Sequence, residues 1–229
     1  MLLAACHERS QSQAQPQSQS QSEAQPQPDR ASTRPTLALL TGLPLAFGEG
    51  FTLNAPRHPA MARLEAAFRV ELIDGPEQLG SVRLLLAAQP RALTAERLVA
   101  LDGWVRGGGR LLLLADPQLS WPTDLPLGDK QRPPFQYADT GLLARWGLRL
   151  EAPPPGSGET RFAVGGHQVA SPSAGSLERQ RGSCRVAPDR RTARCALGRG
   201  SATVVADADF ITGDGGPEAL VAAVSALAR

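Results

Sequence analysis

The sequence predicts an α/β fold: a doubly wound, mostly parallel sheet with a small β-rich insertion before the last core strand. Three observations predict it. Val82 to Pro117 reads VRLLLAAQPRALTAERLVALDGWVRGGGRLLLLADP, an apolar run, a helical pattern and a second apolar run, each closed by a breaker. That is a strand–helix–strand crossover, which links parallel strands and is almost always right-handed. The apolar runs Thr36–Thr41, Val82–Ala88, Leu111–Ala115 and Ala202–Ala206 do not alternate with polar residues, the pattern of strands covered on both faces. Between Arg161 and Leu197, by contrast, short alternating segments are separated by Gly-Gly and Pro-Asp, as in hairpins.

In chain order, Thr36–Thr41 is the first strand and stops at Gly42. Leu43 to Pro59 is a long loop rich in Pro and Gly that carries Glu49, Asn54, Arg57 and His58; long loops in compact domains are usually functional or mobile. Pro59 opens a helix, Ala60–Phe68, with Met61, Leu64 and Phe68 on one face. Arg69–Asp74 alternates and reads as a strand ended by Gly75-Pro76. In the crossover, Thr94 opens a helix with Leu98, Leu101, Trp104 and Val105 on one face, and Gly107-Gly108-Gly109 ends it. Gln118–Pro134 is a second long loop, Phe135–Trp146 reads as helical, and Leu148–Leu150 as a short strand. Phe162–Val164 and His167–Val169 form one hairpin around Gly165-Gly166. Cys184–Val186 and Ala193–Leu197 form another, so that Cys184 and Cys195 sit on facing strands and are expected to form a disulfide. These hairpins make up an insertion at about 158–200. Ala202–Ala206 is the last core strand, followed by Asp207-Ala208-Asp209 and a closing helix, Glu218–Ala228, with Leu220, Val224 and Leu227 on one face.

A chain of 229 residues with a net charge of +2 has no field strong enough to point to nucleic acid or anionic lipid. It contains no apolar run of about 18 residues, so no complete transmembrane helix. The domain division expected is 1–34 and 35–229. In the first part, Leu3-Ala4-Ala5-Cys6 resembles a lipobox, in which Cys6 is lipidated and becomes the anchored N-terminus. The basic and apolar regions of a full signal do not precede it, which suggests a translation start further upstream. Ser10–Pro28 is almost entirely Gln, Ser, Pro and Ala, a composition that cannot bury enough apolar surface to order itself and that suits a disordered tether. The expectation is an extracytoplasmic, lipid-anchored protein on the periplasmic face, with the outer membrane favoured because His7, not Asp, follows the cysteine.

No strand end carries Ser or Cys in a nucleophile elbow: the strands stop at Thr41-Gly42, Gln89-Pro90, Asp116-Pro117 and Asp207. His7, His58 and His167 are scattered, without metal-ligand spacing. The three glycines at 107–109 end a helix and enter a strand, the reverse of a dinucleotide fingerprint, so no cofactor is expected. Asp207 and Asp209 lie at one strand end, with Asp116 beside them if the two strands are neighbours. Such carboxylates suit Mg²⁺ in a metal-dependent hydrolase, or they cap the next turn. Ligands of open α/β sheets bind beyond the carboxyl ends of the strands, which makes Thr41, Gly42, Gln89, Asp116, Asp207 and Asp209 the binding candidates, with His58 from the loop.

The succession Leu84–Pro90, Leu93-Thr94, Leu101-Asp102, Gly108-Gly109-Arg110-Leu111 and Asp116-Pro117 resembles the extracytoplasmic domain of GldG-type, gliding-motility-associated auxiliary proteins of ABC transporters. VVADADF, up to Phe210, and the opening Thr41-Gly42-Leu43-Pro44-Leu45 are similar to that family as well. The resemblance implies an amidotransferase-like or flavodoxin-like sheet without the catalytic Cys and His. It also implies a non-enzymatic, accessory or ligand-binding role beside an ABC permease and ATPase. Members usually carry transmembrane helices, for which the lipidated Cys6 would substitute. A structural envelope protein is the remaining alternative.

Overall fold

The computed structural model describes residues 34–48 and 57–229. The expectations for Cys6 and the tether, and for Glu49 and Asn54 of the first long loop, lie outside the described residues.

The chain is a mixed α/β protein with a mostly parallel sheet extended by antiparallel strands. β1 (Thr36–Thr41), α1 (Pro59–Ala67) and β2 (Arg69–Leu72) form a first crossover; β3 (Leu84–Ala88), α2 (Ala95–Arg106) and β4 (Arg110–Leu114) form a second. Then follow α3 (Leu142–Trp146), β5 (Leu148–Glu151), β6 (Thr160–Val164), β7 (His167–Ser171), β8 (Ser176–Arg179), β9 (Cys184–Val186), β10 (Thr192–Leu197), β11 (Gly200–Val205) and α4 (Gly216–Ala228). The strand order of the main sheet is β2-β1-β3-β4-β11-β10-β9, parallel from β2 to β11 and antiparallel beyond.

β3 is buried throughout and β4 nearly so, because both faces of the sheet are covered. Leu37, Leu39, Leu86 and Leu112 pack with Met61 and Leu64 of α1 and Leu220 and Val224 of α4. Ala38, Leu40, Leu85 and Leu111 pack on the other face with Leu101 and Val105 of α2 and with Trp146 of α3. The residues that spell the family-like pattern have local causes here. Thr94 caps α2 by accepting from the Arg97 N–H at 3.4 Å. Gly108, at φ +114°, reverses the chain after α2, and a Cβ at Gly109 would lie 2.4 Å from the Trp104 ring. Asp102 is buried on α2 and accepts from Arg106 Nε at 3.0 Å, Arg145 Nε at 2.6 Å and Trp146 Nε1 at 2.9 Å, which pins α3 to α2. Burial alone would raise its pKa; these donors hold it below the ordinary carboxylate value.

Two parts differ from expectation. The helix expected over Phe135–Trp146 is confined to Leu142–Trp146. The preceding residues pair instead with the strand-end segment: Tyr137 N donates to Asp116 O at 2.6 Å and Leu119 N to Phe135 O at 2.8 Å. The insertion is also smaller than expected. The first hairpin stands outside the main sheet, as does the β5–β8 pair, but β9 and β10 join the sheet through β11. Gly165 and Gly166 have φ of +59° and +87°, as the tight turn requires. Gly165 also abuts α4, where a Cβ would meet Ala223 N at 2.5 Å.

Cys184 and Cys195 are direct register partners on β9 and β10 and are disulfide-bonded across a sequence separation of 11 residues. Closing a loop of that size removes about 3 kcal/mol of denatured-state entropy in the chain-entropy account. The double variant Cys184→Ala/Cys195→Ala is therefore expected to lose about 3 kcal/mol in equilibrium urea unfolding. Equal midpoints for the oxidised and dithiol forms of the unmodified protein would contradict this.

Candidate functional site

The sequence-predicted residues gather at the carboxyl edge of the parallel strands, but in separate groups. Gln89 follows β3, Asp116 lies two residues beyond β4, and Asp207 two beyond β11. β4 and β11 are neighbours in register Leu114↔Val205, so the carboxylates expected to meet do meet. Asp116, Asp207 and Asp209 each offer an oxygen within 4.8 Å of the others. Asp116 and Asp207 are fully buried and Asp209 is 4% exposed.

Gln89 is a backbone surrogate. Its φ of +43° turns the chain out of β3, and its own N–H still donates to Leu114 O at 3.0 Å. Its side-chain amide takes over the pairing that the strand would have continued. Oε1 accepts from Asp116 N at 2.8 Å, and Nε2 donates to Asp116 O at 3.0 Å and Pro134 O at 3.2 Å. Gly42 lies against this turn, where a Cβ would meet Gln89 O at 2.5 Å. Any larger residue there would push β1 away from β3.

Every carboxylate oxygen of the cluster accepts a hydrogen bond. Asp116 Oδ1 accepts from Gln118 N at 2.8 Å and Oδ2 from Ala208 N at 2.9 Å. Asp207 Oδ1 accepts from Phe210 N at 2.9 Å, and Oδ2 is paired with the Ser171 hydroxyl. Both oxygens of Asp209 accept from Ser120 N, at 3.0 and 2.9 Å, and Oδ2 accepts from Ser173 Oγ at 2.6 Å. Ser120 Oγ and Ser173 Oγ are 3.0 Å apart, and Ser173 N donates to Ser171 Oγ at 3.2 Å. The network thus ties the strand ends to the exit of the first hairpin and to the second long loop. Burial pushes Asp116 up to about 7, with the Asp209 charge adding to it. Burial pushes Asp207 up to about 8, with the Asp116 charge adding to it, and burial raises Asp209 too.

His58 is elsewhere. Its Nδ1 accepts from Ala60 N at 3.2 Å as the cap of α1, and its ring lies 5.3 Å from that of Trp121. Partial burial lowers its pKa. Ser120, Ser171 and Ser173 went unread in the sequence because Ser120 and Ser173 lie in loops, Ser171 ends β7, and no spacing links the three.

No family model matches the sequence, and no curated protein does. Solved structures do match by shape. The mmIFT52 N-terminal domain is 16% identical with a TM-score of 0.53, over 83% of this chain and 95% of that one. A cytoplasmic protein of Salmonella typhimurium LT2 is 10% identical with a TM-score of 0.50, over 84% and 98%. The exo-beta-1,4-mannosidase Op5Man5 of Opitutaceae bacterium strain TAV5 is 16% identical with a TM-score of 0.47, over 78% of this chain. The chain spans 33% of that mannosidase. At these identities the likeness is one of fold.

Thr41 and Gly42 belong to a different feature, a cleft of about 450 Å³ beyond the ends of β1 and β2. The chain leaves β1 toward β2 on one side and resumes at β3 on the other, so this is the point where the winding reverses. Thr41 Oγ1 donates to Ala88 O at 3.0 Å and accepts from Leu43 N at 2.9 Å, which fixes the loop that forms the cleft wall.

Proposed function

We propose that this chain is a non-enzymatic binding domain with a doubly wound, amidotransferase-like or flavodoxin-like sheet. It is held on the extracytoplasmic side through Cys6 and acts as an accessory or ligand-binding part of an ABC transport system. The observation that carries the reading is the division at the strand ends. The chemistry-bearing carboxylates are sealed and internally satisfied, whereas the open cleft lies at the reversal between β1 and β3. Asp116 and Asp207 are fully buried and Asp209 nearly so, and their oxygens already hold hydrogen bonds, whereas an enzyme needs groups within bonding reach of the reacting atoms. The GldG-like pattern supports the transporter association, and a lipidated Cys6 supports the location. Among the described residues no helix is long and apolar enough to cross a membrane.

The proximity of three carboxylates favours one other reading, a metal-dependent hydrolase. The two part in a thermal melt of chelator-washed protein, since a ligand that binds only the native state raises the melting temperature. Millimolar Mg²⁺ or Mn²⁺ is expected to leave it within about 1 °C; a rise of several degrees would favour the hydrolase. The accessory role has its own test. The full chain is expected to fractionate with membranes and to cross-link to a permease or ATPase subunit, and Cys6→Ser to release it. A chain that stays soluble, with no such cross-link, would end the transporter assignment.

A further inference from the structure

The cleft at the β1–β3 reversal has two unlike walls. Arg91, Arg97 and Lys130 line one side, against one lining carboxylate among the described residues, Asp74. Lys130 is the sole lysine of the chain and reaches the cleft from the second long loop. Phe47, Leu72, Ile73 and Leu93 line the rest. Phe47 and Leu72 are 54% and 46% exposed.

The three cations are not equivalent. Arg97 is committed to the protein, donating to Asp74 O at 3.2 Å and Glu77 Oε1 at 2.5 Å. Arg91 uses one nitrogen on Arg132 O at 3.0 Å, and Lys130 is exposed. No carboxylate of the described residues forms an ion pair with either. A second hollow of about 820 Å³, near Tyr137, is lined by Arg149, which is paired with Glu151 and Glu178, and by Arg181.

We infer that the cleft binds an amphiphilic organic anion, with its phosphate or carboxylate head on Arg91 and Lys130 and its apolar body against Phe47 and Leu72. This rests on the binding-domain reading above and names its ligand class. Arg presents a planar fork that suits either head group, and Lys adds a compact charge. An apolar pocket with a few convergent polar groups is the ordinary form of a small-molecule site, the polar groups fixing orientation.

Isothermal titration of the full chain tests it with four probes: hexyl phosphate, heptanoate, hexanol and inorganic phosphate. The two amphiphilic anions, or one of them, are expected to bind one to one and at least tenfold tighter than hexanol or inorganic phosphate. Which of the two binds better assigns the head group. Arg91→Gln/Lys130→Gln, at exposed positions, is expected to weaken the anions at least tenfold and to leave hexanol unchanged. Phe47→Ala is expected to weaken hexyl phosphate without changing inorganic phosphate. Hexanol binding as tightly as the anions overturns the inference while leaving a binding domain. Anion affinity unchanged in the double variant, with its melting temperature intact, overturns it as well. No saturable binding of any probe also overturns it, and the membrane cross-linking result then decides the accessory role independently.

Discussion

Asp116→Asn is expected to cost about 3–4 kcal/mol, whereas Asp207→Asn, in the same cluster, should cost under about 1 kcal/mol near neutral pH. The two side chains are buried alike and differ in what faces them. Both oxygens of Asp116 accept from backbone N–H groups, those of Gln118 and Ala208. An asparagine keeps one acceptor and turns an NH₂ group onto the other donor, which leaves a buried N–H unpaired. Each such group costs about 1–3 kcal/mol, and the opposed donors add repulsion. Asp207 meets one backbone donor, Phe210 N, and one hydroxyl, Ser171, which can turn to accept. An asparagine there accepts from the first and donates to the second. For a domain with a total stability of about 5–15 kcal/mol, the first change removes a large share and the second little. Equilibrium urea unfolding of both variants at pH 7 measures it, and the reverse order of cost would show that the assigned hydrogen bonds are wrong.

The same pair of residues shows what the sequence could and could not disclose. That Asp116 and Asp207 close buried strands was legible from the apolar runs before them, and their meeting needed only that β4 and β11 be neighbours. Their capping role was legible as an alternative to metal binding. The amide of Gln89 was not, because its task follows from a left-handed backbone at one residue and from Pro134, distant in sequence. The serines of the network were hidden for a related reason: Ser171 and Ser173 arrive with the first hairpin, whose position against the sheet no local pattern encodes. The shortened α3 is the same effect in backbone form. Leu142, Leu143 and Trp146 carry a helical period, but the residues before them find better partners at Asp116 and Leu119. The placement of β9 and β10 had a trace in the sequence, since Gly198-Arg199 between Leu197 and Gly200 is itself a hairpin turn onto β11. The cleft cations lie in two segments distant from β1 in sequence, the β3–α2 stretch and the second long loop, so charge composition alone did not single them out.

The cluster should also set how stability depends on pH. Asp116 and Asp207 have native pKa values raised to about 7 and about 8, and Asp209 is raised as well, so the native state holds protons that the unfolded chain has released. Stability changes with pH in proportion to unfolded-state minus native-state protonation, which is negative in this window. The contribution is therefore fully present below the unfolded value near 4 and is lost as pH rises through about 7 to 8. Each extra proton held by the native state gives a slope of about −1.4 kcal/mol per pH unit. His58 acts in the opposite sense, since its lowered pKa favours the unfolded, protonated form as pH falls, so the raw curve mixes two slopes. Asp207→Asn separates them. It removes one titrating group, mimics the protonated acid and leaves His58 unchanged. The difference in unfolding free energy between this variant and the unmodified protein should be close to zero or unfavourable at pH 5. It should move in favour of the variant between pH 6 and 8.5, by about 2–3 kcal/mol in total. Parallel stability curves across that range would mean that Asp207 is ionised throughout, and would return the cluster to consideration as a cation site.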